Sequence, residues 1–69
     1  MENRTYAKQE LAQLYFPGHN PHAAVQNFNY MITHCKPLKE ALRGTHAPRF
    51  AKMFTPRQVQ LITEYLGEP

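Results

Sequence analysis

Apolar residues recur along this chain at helical spacing, in stretches separated by turns that carry proline or glycine. The clearest stretch is the last, residues 54–67. Thr55 suits an N-cap, because its hydroxyl can accept from the free backbone N–H groups of a first helical turn. Pro56 follows at the first helical position, where its missing N–H costs nothing. Gln58 stands three residues after Thr55 and can reach back to its N–H, completing a capping box. Phe54 and Val59 have the spacing of a hydrophobic staple. Gly67 supplies the left-handed residue that ends a helix. Between these ends, Val59, Ile62 and Leu66 form one stripe, and Leu61 with Tyr65 forms a second beside it. Only Arg57, Gln60, Thr63 and Glu64 remain as a polar arc. So wide an apolar face predicts other helices on two sides and places this helix at the centre of the fold.

Earlier in the chain the pattern is shorter but of the same kind. Residues 1–5 are polar and are expected to fray, with Tyr6 the first candidate core contact. Ala7, Leu11, Leu14 and Tyr15 fall on one helix face, with Lys8, Gln9, Glu10 and Gln13 off it. Residues 16–21 read as a turn, since Pro17 disfavours helix at Phe16 and Gly18 permits a sharp change of direction. Asn20 and Pro21 repeat the cap-then-proline logic, and a second helix is predicted from about Pro21 to His34. Its inner stripe is Ala24, Val25, Phe28, Met31, Ile32 and Cys35. Its outer face is His22, Gln26, Asn29, Tyr30 and Thr33. Lys36 and Pro37 break that helix; residues 38–43 form a short third one with Leu38 and Leu42 inward and Gly44 as its stop. Residues 45–53 have no helical period, so Phe50 and Met53 are expected to reach the core from an extended loop or wing.

Length and composition narrow the reading. A chain of 69 residues makes one small domain with no room for a large enzyme pocket. Its single cysteine, Cys35, cannot form an internal disulfide. No apolar run approaches the roughly 20 residues that span a bilayer. The first five residues lack the apolar segment of a signal peptide, and a cytoplasmic location is expected. The net charge is +3, and between Lys36 and Arg57 the six cations Lys36, Lys39, Arg43, Arg49, Lys52 and Arg57 are opposed only by Glu40. That imbalance suits a phosphate-bearing or acidic partner, although an ordinary solvated surface has the same composition.

Three chemistries compete for these residues. A helix, a turn and a second helix across residues 7–34 have the order of a helix-turn-helix, whose second helix meets the DNA major groove. Amides such as Gln26 and Asn29 can bond base edges, while His22 and Tyr30 can reach phosphates. The second helix has no Lys or Arg, so Lys36, Lys39, Arg49 and Lys52, with Lys8, are left to supply the phosphate contacts. A plain antiparallel helix pair with a polar outside would show the same spacing. His19, His22, His34 and Cys35 match no metal-binding spacing, and Cys35 is in phase with the core stripe. Without Ser or Asp there is no serine triad, and no carboxylate pair has a catalytic setting, so no enzyme activity and no cofactor are expected.

The segments Tyr15-Phe16-Pro17, Pro37-Leu38, Phe54-Thr55-Pro56-Arg57-Gln58-Val59 and Tyr65-Leu66-Gly67-Glu68-Pro69 together resemble a family of short bacterial proteins known as a domain of unknown function. The likeness runs over nearly the whole chain and implies no activity, substrate or cofactor. More loosely, Glu10-Leu11-Ala12 and the closing tail are similar to small excisionase-like helix-turn-helix proteins, which implies DNA binding. Ala7 stands where those proteins carry a capping Ser or Thr. The reading is therefore a single all-α domain, residues 1–69. It is a bundle of three to four helices with helix-turn-helix character and a short extended wing at 45–54. Its expected role is that of a small DNA-associated accessory protein partnered by double-stranded DNA. The competing role is a protein-interaction or homodimeric module in which exposed Tyr30, Tyr65 or Phe50 anchors the partner.

Overall fold

The computed structural model describes residues 2–45 and 52–69. Among them the chain runs β1 (Tyr6–Ala7), α1 (Lys8–Tyr15), α2 (Pro21–His34), α3 (Lys36–Arg43), β2 (Met53–Phe54) and α4 (Pro56–Leu66). The result is a small all-α bundle carrying one two-stranded antiparallel ribbon, with Tyr6 opposite Phe54 and Ala7 opposite Met53.

The helix ends follow from local chemistry. Asn20 caps α2 by accepting from the Ala23 N–H at 2.9 Å, with Pro21 at the first helical position. The capping box of α4 is complete: the Thr55 hydroxyl accepts from the Gln58 N–H at 3.3 Å, and the Gln58 side chain accepts from the Thr55 N–H at 2.9 Å. Gly67 closes α4 at φ +83°, a backbone angle that a residue with a Cβ rarely adopts. Helix α1 has no capping side chain at Ala7. Instead the Lys8 N–H donates to the Lys52 carbonyl at 2.7 Å, so the β2 end of the chain satisfies a donor that the sequence leaves open.

Every element contributes to one core, which holds Tyr6, Leu11, Ala12, Ala24, Phe28, Leu38, Leu42, Phe54, Val59, Leu61 and Ile62. Phe28 of α2 lies at its middle, fully buried. Its ring stacks on Tyr15 of α1 (centroids 5.4 Å) and meets Phe54 of β2 edge-on (6.2 Å). Helix α1 packs chiefly on α2, while α4 packs on α3 and β2. The centre expected at α4 is thus shared: α4 buries more residues than any other described helix, but an aromatic residue of α2 joins the parts.

Several sequence expectations are corrected. Leu14, placed on the inner face of the first helix, is 44% exposed, because α1 is only two turns long and Leu11 with Ala12 already fills its contact with α2. Met53 is 55% exposed rather than a core contact: strand alternation turns its neighbour Phe54 inward and Met53 out. Tyr65, on the second stripe of the last helix, is 46% exposed, as its place among the candidate anchors required. The third helix begins at Lys36, not after Pro37, because proline is tolerated in a first helical turn. Cys35 then serves as the last residue of one helix boundary and the first of the next. The extended stretch at 53–54 is a ribbon partner of residues 6–7. Phe50 and the rest of the expected wing at 46–51 lie outside the described residues.

Candidate nucleic-acid interface

Helix α2 has two unlike faces. Ala24 and Phe28 are buried, with Val25 and Ile32 partly so. His22, Gln26, Asn29, Tyr30, Thr33 and His34 are exposed. Among the described residues the side chains of His22, Gln26 and Asn29 make no hydrogen bond, which leaves their donors and acceptors to solvent or to a partner. Tyr30 is 64% exposed and lies nearly parallel to the His34 ring, with centroids 3.9 Å apart and planes inclined at 24°.

The cations divide into two groups that the sequence does not distinguish. Arg4 is engaged in the fold: its guanidinium lies 3.7 Å from the Tyr6 ring centre and holds Glu10 with contacts of 2.6 and 3.3 Å. Lys8 is partly buried with its ammonium 5.8 Å from the Phe54 ring centre, and that burial lowers its pKa from the ordinary lysine value. Lys8 is thus less open to solvent than Lys36 and Lys39. Lys36, Lys39 and Lys52 are exposed, and among the described residues none of them has an ion-pair partner. Arg49 lies outside the described residues.

Two further residues join this surface. Arg43 shares a side of α3 with Lys36 and Lys39, at the i, i+3, i+7 spacing of one helix face, while Leu38 and Leu42 are buried on the opposite side. Arg43 Nη1 lies 3.6 Å from Glu40 Oε1 in an exposed pair. His34 joins through its stacking on Tyr30. Both were legible as spacings, three and then four residues for the cations and four for the rings, but only the exposed faces give those spacings meaning. His19, by contrast, packs edge-on against Phe16 in the α1–α2 turn. Among the described residues no three His, Cys, Asp or Glu side chains converge as a metal site. No described helix is long and apolar enough to cross a membrane.

Residues 2–69 match the family described as domain of unknown function (DUF4248). The chain belongs to that family. No curated protein matches it, and no solved structure does. For this DUF4248 domain the arrangement of its own surface, an uncharged polar face on α2 and a cationic face on α3, is what bears on function.

Proposed function

We propose that this chain is a small, non-catalytic, cytoplasmic protein that binds DNA, with the outward face of α2 towards the bases and the cations of α3, with Lys52 just before β2, towards phosphates. The observation that carries the reading is the two-sidedness of α2: Phe28 and Ala24 anchor it in the core while Gln26, Asn29 and Tyr30 remain exposed. Amide side chains on a fixed helix suit hydrogen bonding to bases. Lys36, Lys39 and Lys52, with Arg49, supply the charge that α2 lacks. The order of α1, turn and α2 gives the reading its helix-turn-helix character, which makes double-stranded DNA the first form to test beside single strands.

A titration with mixed-sequence DNA, duplex and single-stranded, at several salt concentrations tests this. Affinity for duplex should fall with salt with a log–log slope of about 0.9 per phosphate neutralised. Lys36→Glu combined with Lys39→Glu should weaken binding and flatten that slope. Absence of binding to either form at low salt refutes the reading. A second reading, a protein-interaction module or homodimer, is favoured by the exposure of Tyr30, Tyr65, Leu14 and Met53. A dimer in sedimentation, with no DNA bound, is the outcome that selects it.

A further inference from the structure

We propose that Tyr30 and His34 form a stacking platform for the bases of single-stranded DNA, with Lys36, Lys39 and Arg43 along its phosphates. This rests on the DNA reading above and goes further by naming the form of DNA and the group that recognises it.

The two rings sit one helical turn apart on the outer side of α2, face to face at 3.9 Å. A carbonyl oxygen only accepts, so His34 Nδ1, 3.0 Å from the Tyr30 carbonyl, is the ring nitrogen that carries the proton. That bond fixes the rotation of the imidazole against the tyrosine. The free protein therefore already holds a two-ring stack in place, and a preorganised surface loses less side-chain freedom on binding. Tyr30 is the most exposed of the large apolar side chains among the described residues.

The form of DNA follows from what a ring can recognise. Bases in a duplex are stacked on one another and show a protein only their edges, which amides and guanidinium groups read. Every base has a π-face, and an unpaired base can lay it on an aromatic side chain. The outer side of α2 has no Lys or Arg and is dominated by a ring, which suits base faces. Gln26 and Asn29 on the same side are placed for the pairing edges that an unpaired base leaves open.

The phosphates have their own element. Only Cys35 separates His34, the end of α2, from Lys36, the start of α3. Lys36, Lys39 and Arg43 occupy the side of α3 away from buried Leu38 and Leu42, so both helices turn these groups away from the one core. Glu40 is the acidic group on α3; its 3.6 Å pair with Arg43 is exposed and is readily exchanged for a phosphate. Charge complementarity selects a polyanion, and the stacked rings, which an unpaired base can extend, select one with free bases.

The experiment compares one mixed-sequence strand with the blunt duplex made by annealing it to its complement, by fluorescence anisotropy at low salt. The strand is expected to bind more tightly than the duplex. Tyr30→Ala should weaken strand binding about tenfold, the order expected for loss of one base–aromatic stack, and weaken duplex binding by clearly less. Tyr30→Phe should retain it, and circular dichroism should show both variants folded, since the side chain is exposed. Lys36→Gln and Lys39→Gln should each lower the salt slope for the strand by about 0.7. A duplex bound at least as tightly as the strand, or strand binding indifferent to Tyr30→Ala, overturns the platform while leaving the DNA reading intact. If neither form binds, the DNA reading fails and the platform with it.

Discussion

The Gln58 side-chain amide donates to the Thr45 hydroxyl across 3.1 Å, and this bond joins the end of α3 to the start of α4. It belongs to a chain. The Thr45 hydroxyl donates onward to the Leu42 carbonyl at 2.6 Å, and the Gln58 carbonyl oxygen accepts from the Thr55 N–H at 2.9 Å. Gln58 is 6% exposed, so its own side-chain amide would otherwise hold a desolvated donor and acceptor. Among the described residues no buried side-chain polar atom lacks a partner.

Gln58→Ala should therefore cost about 1–2 kcal/mol, through the broken capping box and the partner lost at Thr45. In a domain this small, that lowers the melting temperature by roughly 4–8 °C per kcal/mol. Thr55→Ala, which removes the other half of the box, should cost about 1 kcal/mol. The bond between helices is tested by a double-mutant cycle: Thr45→Ala and Gln58→Ala should be non-additive by about 0.5 kcal/mol or more. Strictly additive costs would show that the two side chains do not act together.

Tyr15 ties the end of α1 to the end of the chain, its hydroxyl donating to the Gly67 carbonyl. Burial, and then the charge of Glu68, raise its pKa above the ordinary 10.0. A raised pKa means that the unfolded chain loses this proton first. The stabilisation is complete below pH 10 and is lost as pH rises from there through the folded value. Lys8 acts in the opposite sense, since its lowered pKa lets stability rise with pH as the buried ammonium is neutralised. Comparison with a variant separates the two. Tyr15→Phe should lower stability by about 1 kcal/mol at neutral pH and flatten the alkaline decline in urea midpoints. A decline of unchanged slope would assign it to another group.

On the acid side the group to watch is Glu10. Its hydrogen bond with Arg4, above all, lowers its carboxyl pKa below 4.5. The contribution is present above 4.5 and fades as pH falls through the lower folded value. Arg4→Gln should flatten that acid limb and leave the alkaline one alone. Thermal melts across the acid range would show it, and an acid limb identical to that of the unchanged protein would refute it.

Phe28 is fully buried between Tyr15 and Phe54. Phe28→Ala should cost about 3–5 kcal/mol by transfer and cavity effects. The lower end of domain stabilities is about 5 kcal/mol, so the cooperative melt should be lost or shifted close to room temperature. A sharp transition near that of the unchanged protein would mean that the core closes around the gap.

What the sequence by itself determined was the local grammar: the bounds of α2 and α4 and the two faces of α2. Those features rest on signals within one turn of each other, such as Asn20 with Ala23 and Thr55 with Gln58, and on a period that the apolar residues repeat. The exposed set on α2 was legible for the same reason. Tertiary structure alone decided what depends on residues far apart in the chain. It paired Tyr6 with Phe54, gave the uncapped start of α1 a carbonyl from Lys52, and left Leu14 and Met53 outside. It also sorted the cations, drawing Arg4 and Lys8 into contacts with Tyr6, Glu10 and Phe54 while leaving Lys36 and Lys39 to solvent. A lysine has the same charge wherever it stands in a sequence; which neighbours compete for that charge is fixed only when the chain closes on itself.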